Sequence, residues 1–246
     1  MIVVDIQSFL ITSNNHHSHE KCCQIPMTAT TASVQDIIET SREYARRYMD
    51  QYDSSHDYSH VLRVLSMSKH IEACESQAGA SNQPFDSNVI TLVALLHDVG
   101  DRKYLKLGQD GKTEVLQFLL SIGADEQLAT DVQHIINNIS YSNEVRNPAD
   151  VTAAIAKHPE LAVVQDADRL DALGAVGIGR CFAFNASRSS KDGMESAIQH
   201  FTDKLLKLST MMKTETGRAL AIERTRRIST FREWWMEESR SVPDEI

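Results

Sequence analysis

Long apolar runs are missing from this chain of 246 residues. The longest stretch without charge or strong polarity, Val89 to Leu96, is eight residues, against the ~20 that a spanning helix needs, so a helical membrane span is excluded. Positive charge is also short: 25 Lys and Arg stand against 34 Asp and Glu, a net charge of −9. Affinity for a nucleic-acid duplex or an anionic membrane rests on clustered positive charge, so neither is expected as a partner. A small anion is still accommodated where a few bases or a metal converge. Cysteine is scarce, four residues in all. Cys22 and Cys23 adjoin in a polar segment, while Cys74 and Cys181 lie in apolar-periodic stretches and read as small core residues. A reducing compartment, cytoplasmic or also nuclear, is the simpler expectation. The leading MIVVDIQSFLITSNN has no basic residue ahead of its apolar stretch and no arginine, so it reads neither as a secretory signal nor as a mitochondrial presequence.

Sustained strand-like alternation is absent too, and helical periodicity takes its place. Residues 1–32 are rich in Ser, Thr, Asn and His and are expected to form a disordered N-terminal extension. Its His16, His17, His19, Cys22 and Cys23 are metal-ligand types, but no second ligand pair stands at zinc-site spacing, so a solvated tail is the better reading. From Ser33, a plausible N-cap, Val34, Ile37, Ile38, Tyr44, Ala45 and Tyr48 mark a first helix, and residues 33–246 are expected to form one domain. A second stripe runs from Val61 to about Glu75, and a third helix runs from about Asp86 through VITLVALLHDVG. That third helix is apolar nearly all round, which is the mark of a central buried helix. Further stripes cover Thr113 to Ile122, Glu126 to Ile139, Pro148 to Ala156, Leu161 to about Phe184, Lys191 to Leu208 and Arg218 to Glu238. The fold expected is all-α. In the last stripe, Trp234 and Trp235 are expected to pack inward behind a salt-bridged face.

Chemistry concentrates at three places. His97 and Asp98 end the most apolar helix of the chain, where a bare carboxylate costs several kcal/mol unless something neutralises it. A divalent cation held by both side chains would do so; a hydrogen-bonded His-Asp pair at a helix end is the plainer alternative. His60 opens the apolar stripe of the second helix, and QDADRLD places Asp166, Asp168 and Asp171 within six residues of otherwise apolar sequence. Such acids repel one another unless cations intervene, or each is salt-bridged separately. His56-Asp57-x-x-His60 mimics a two-histidine zinc-protease motif, but that reading leaves HD and DADRLD unexplained.

The ordered set His60, His97-Asp98 and Asp168 resembles the H…HD…D signature of the HD-domain metal-dependent phosphohydrolases. SHDYSHVLRV, ALLHDVGDRKY, HIINNISYSN, VVQDADRLDALGAVGIGR and KTETGRALAIER are similar to its small-hydrolase branch. The resemblance covers roughly Ser33 to Glu238 and implies a single HD-domain helical bundle. It implies His60, His97, Asp98 and Asp168 as metal ligands, with Asp166 as the alternative to Asp168. Two imidazoles and two carboxylates suit one divalent ion with open positions, Mn²⁺ best, with Fe²⁺, Ni²⁺, Zn²⁺, Co²⁺ or Mg²⁺ as alternatives.

The reaction implied is hydrolysis of a phosphoester or phosphoanhydride bond by a metal-activated water. The resemblance also implies a catalytic carboxylate at the offset of Asp101, which makes it the acid/base candidate beside the catalytic Asp98; a helix continuing past Gly100 would place it, four residues after His97, on the same face. Lys103 and Arg102 are the first candidates for binding phosphate, with Arg180, Arg63 and Arg169 also in or beside the motif blocks; His56, Asp57 and His134 are expected on the substrate side. The expected partner is a small phosphorylated metabolite, best a nucleotide, and a homodimer is compatible with the sequence. The rival readings are a non-catalytic nucleotide-binding HD signalling module and an HD-type nuclease. The charge of −9 weighs against the nuclease.

Overall fold

Helix α1 (Val34–Met49) begins where Ser33 Oγ accepts the amide of Asp36 at 3.2 Å, and it buries Ile37, Ile38, Ala45 and Met49. The computed structural model describes residues 32–51, 57–79, 83–100, 110–187 and 193–240, and among these are eleven α-helices and no strand. The N-terminal extension, with its His16 to Cys23 cluster, lies outside the described residues up to residue 31. No helix among the described residues is long and apolar enough to cross a membrane.

Helix α2 (Tyr58–Ala78) starts under an Asp57 cap and stops at Gly79, whose φ of 62° is the left-handed turn that ends many helices. Helix α3 (Ser87–Leu96) is capped by Asp86, which accepts from Asn88 and Val89, and every residue from Val89 to Leu96 is buried. It is the central rod, enclosed by α1, α2, α5 (Glu126–Ile139) and α8 (Glu160–Asp171). Truncating Leu92, Leu95 or Leu96 to Ala would cost about 2–5 kcal/mol, since no solvent reaches them. Helix α4 (Glu114–Ser121) packs on α5, and the short α6 (Tyr141–Arg146) and α7 (Pro148–Lys157) lead into α8. Helix α9 (Gly174–Ser187), α10 (Glu195–Asp203), a 3₁₀ segment (Leu205–Met211) and α11 (Glu215–Ser239) complete the fold.

Four expectations need correction. The stripe from Leu161 to Phe184 is two helices, because α8 closes at Ala172 and α9 opens on Gly174 at φ 68°. Lys191 to Leu208 likewise divides into α10 and the 3₁₀ segment. Helix α3 ends at Leu96 with His97 as its C-cap, and Gly100 at φ 77° closes the turn, so the helix does not run on through HDVG. Of the two tryptophans only Trp235 packs inward, against Phe182 and Phe231, while Trp234 is 59% exposed. Cys181 is buried as expected, and Cys74 is half-buried.

Candidate metal centre

The site forms where α2, α8 and the turn after α3 meet. Asp57 Oδ1 accepts the backbone N–H of His60 at 3.0 Å, so the cap of α2 acts on the very residue whose imidazole enters the site. His60 is 1% exposed and His97 7%. After α3, the Val99 amide returns to the Leu96 carbonyl, and the Gly100 amide donates to Tyr48 Oη of α1 at 3.1 Å, which fixes the turn that carries Asp98.

The proton positions on the two imidazoles are set by their partners. His97 Nδ1 lies 2.9 Å from the Ala94 carbonyl, which can only accept, so Nδ1–H donates and Nε2 keeps its lone pair. His60 Nδ1 lies 2.7 Å from Asp171 Oδ2 and donates to it. The two Nε2 atoms then face each other at 3.2 Å. Asp98 Oδ2 is 3.4 Å from His60 Nε2 and 3.5 Å from His97 Nε2; Asp168 Oδ1 is 3.5 and 3.9 Å from the same atoms.

Two lone pairs and two carboxylate oxygens at this spacing repel one another unless a positive charge sits among them. A proton is one answer. Burial alone would depress the His60 imidazole, but the Asp171 and Asp98 carboxylates override it and raise it to about 9. A divalent ion is the other, because donors held at about 2.0–2.2 Å from one ion stand about 3–3.6 Å apart. His60, His97 and Asp168 each offer one ligand atom to a set that could hold a metal ion, and Asp98 Oδ2 lies beside both imidazoles.

The three acids of α8 are separated by the helix itself, at about 100° per residue. Asp168 faces the imidazoles. Asp166, fully buried, accepts the Lys213 amide at 2.9 Å and the Thr214 amide and hydroxyl at 2.8 Å each, so it caps the approach to α11 and does not join the cluster. Asp171 accepts from His60 Nδ1, from Arg63 at 2.7 and 3.0 Å and from Arg180 at 2.9 Å. Burial opposes its ionisation, yet the His60 and Arg63 bonds hold its carboxyl well below the usual carboxylate range.

The remaining candidates divide plainly. His56, Asp101, Arg102 and Lys103 lie outside the described residues. Asp57 caps α2 through Oδ1. Arg63 and Arg180 bond Asp171, and Arg169 bonds Glu144 and the Met211 carbonyl. His134 is on the exposed face of α5 beside His158, ring centroids 5.4 Å apart, and contributes no atom to the metal cluster. Sequence reasoning did not single out Asp171 as the acid that orients His60; its place three residues after Asp168 was the available signal.

The family model for the HD domain matches residues 57–173, which span His60, His97, Asp98 and Asp168. The chain is 34% identical over 191 residues to the Bacillus subtilis (strain 168) protein YpgQ, covering 76% of this chain and 85% of that one. The chain belongs to the HD-domain family. A crystal structure of Bacillus subtilis YpgQ in complex with ADP is similar to this HD protein at 28% identity and a TM-score of 0.62, over 86% of this chain and 97% of that one. A crystallised HD-superfamily hydrolase from Bacillus thuringiensis is similar at 29% identity and a TM-score of 0.60, over 85% and 100%. An HD-superfamily hydrolase is the enzyme class that this membership indicates.

Proposed function

We propose that this HD protein is a metal-dependent phosphohydrolase acting on a small phosphorylated metabolite, best a nucleotide, with Mn²⁺ as its preferred ion. The observation that carries the reading is the meeting of two imidazole Nε2 lone pairs, each fixed by a protonated Nδ1, with the Asp98 and Asp168 carboxylates. This mixed nitrogen and oxygen set suits Mn²⁺, Fe²⁺, Co²⁺ or Ni²⁺ better than a thiolate-type zinc site. When bound, such an ion supplies Lewis acidity, lowering the pKa of a water and drawing charge from a phosphoryl oxygen.

The chain supplies the rest. Asp171 holds His60 in one tautomer, with Arg63 and Arg180 balancing its charge, and the Ala94 carbonyl does the same for His97. Asp101 is assigned the proton transfers, Lys103 and Arg102 the phosphate oxygens, and His56 the substrate side of the ion. The complex of the similar YpgQ with ADP favours a nucleotide. The test is phosphate and pyrophosphate release from nucleoside mono-, di- and triphosphates with Mn²⁺, comparing wild type with Asp98→Ala. Mn²⁺-dependent release lost in the variant supports the hydrolase and names the bond. Nucleotide binding without turnover by the Mn²⁺-loaded wild type would replace it with a non-catalytic binding module, and release only from DNA or RNA would replace it with a nuclease.

A further inference from the structure

Behind the metal centre lies a second concave feature of opposite charge. His60 presents Nε2 to the cluster and Nδ1 to Asp171, on opposed edges of one ring. Asp171 lines a cavity of about 280 Å³ that contains none of His60, His97, Asp98 or Asp168. Its walls are Arg63 and Ser66 from α2, the start of α9, and Arg224 and Arg227 from α11.

The cavity walls carry an excess of positive charge in a protein whose net charge is −9. Asp171 is shared between Arg63 and Arg180, and Glu223 between Arg226 and Arg227. Arg224, half-buried, donates to the Leu170 carbonyl at 2.6 Å, and among the described residues no carboxylate forms an ion pair with it. Burial, with the nearby Arg227 charge, pushes its guanidinium below its ordinary value even though Asp171 works the other way. A cation held out of water beside other cations is stabilised by an anion between them.

The backbone adds donors. The Gly177 amide returns to the Leu173 carbonyl, so Leu173 opens α9, and its side chain has no oxygen to cap the first amides of that helix, whose residues Gly174, Ala175 and Val176 line the cavity. Gly174 also admits Arg224, since a Cβ there would stand 3.3 Å from Arg224 Cγ.

We propose that this cavity between α2, α11 and the start of α9 is an anion site, separate from the metal centre, that takes the phosphate group of a small metabolite. Its volume exceeds that of an orthophosphate ion, which leaves room for the body of a phosphomonoester. The test is calorimetric titration of inorganic phosphate into the full chain with divalent cations chelated, for wild type, Arg224→Met, Arg227→Glu and Asp98→Ala.

The result expected is one phosphate bound by wild type and by Asp98→Ala with equal affinity, and weakened about tenfold or more in Arg224→Met, the loss of one charged hydrogen bond. Arg227 is 55% exposed on its side chain, so Arg227→Glu carries the same comparison if Arg224→Met does not fold. No phosphate binding by wild type without divalent cations, or equal binding by wild type and both arginine variants, overturns the proposal. So does binding that is lost in Asp98→Ala, which would put the phosphate at the metal centre. The titration reads no turnover, so failure of the hydrolase reading leaves it intact.

Discussion

Replacing Asp171 with Asn removes one charge and leaves the size of the side chain unchanged, which makes it the sharpest probe of how the metal centre is held. The carboxylate accepts four hydrogen bonds, one from His60, two from Arg63 and one from Arg180. Breaking a buried pair by removing one partner costs about 3–5 kcal/mol, because the other charge stays buried. Arg63 is 38% exposed on its side chain and water recovers part of its charge, whereas Arg180 at 14% and His60 at 1% are shielded. The expectation is therefore a loss of about 2–4 kcal/mol at pH 7. The sign with pH is fixed by the direction of the shift. A carboxyl whose folded pKa is depressed contributes its stability above the unfolded value, near 3.9, and loses it as pH falls through the folded value. The gap between wild type and Asp171→Asn is accordingly widest near pH 5 to 6; it narrows below about pH 4, and again as pH rises from about 6.5 toward 9, where the His60 imidazole that Asp171 helps to hold protonated gives up its share. Released from its acceptor, His60 no longer has a fixed tautomer, and Mn²⁺ affinity should fall about 10- to 100-fold. Urea denaturation across pH reads the first effect and calorimetric titration of Mn²⁺ the second. A loss under about 1 kcal/mol together with unchanged Mn²⁺ affinity would refute the role given to Asp171.

Mn²⁺ at about 100 times its dissociation constant should stabilise wild type by about 2.7 kcal/mol, seen as a rise in Tm that chelation reverses. Asp168→Ala should lose that rise, while Asp166→Asn should keep it and start from a lower Tm. Gly217→Ala should destabilise without touching the imidazoles, because the added Cβ would sit 2.3 Å from Asp166 Oδ2 and 2.7 Å from Thr214 Oγ1; an unchanged urea midpoint would be the contrary result. The Glu144 carboxyl is desolvated, but Lys213 and Arg169 hold it below its ordinary value. Its stability is therefore present above about pH 4.3 and lost as pH falls, so Glu144→Gln should flatten the loss of stability between pH 5 and 3. Burial pushes the Cys181 thiol up to about 11, so mass-spectrometric labelling at pH 8 should modify Cys181 only under unfolding conditions.

Helices with strong local signals were legible residue by residue. Asp86 ahead of an eight-residue apolar run is enough to place α3 and its burial, and Asp125 before the stripe ending at Ile139 places α5. The features that escaped depend on conformations or partners that lie elsewhere. GAVGIG continues the apolar period of the preceding segment, and glycine inside a helix costs only about 1 kcal/mol, so nothing local reveals the positive φ of Gly174 that divides α8 from α9. Helix α6 is six residues of mostly polar sequence, and Glu144 on it finds Arg169 and Lys213, 25 and 69 positions away.

The same distinction governs the site. H…HD…D identifies ligand types, yet DADRLD offers three carboxylates that composition cannot tell apart. Their roles are separated by rotation along α8 and by partners remote in sequence, Thr214 at 48 positions from Asp166 and His60 at 111 from Asp171. The arrangement also explains why three acids tolerate one another on so short a stretch. Asp166 is satisfied by backbone and hydroxyl donors at the start of α11, and Asp171 by two guanidiniums and an imidazole. Asp168, at 32% side-chain exposure, is the member turned to the Nε2 pair. A charge that two neighbours resolve through fixed hydrogen bonds is left on the third to be met by a cation, and α8 thereby couples the docking of α11, the orientation of His60 and the charge of the metal centre in a single helix.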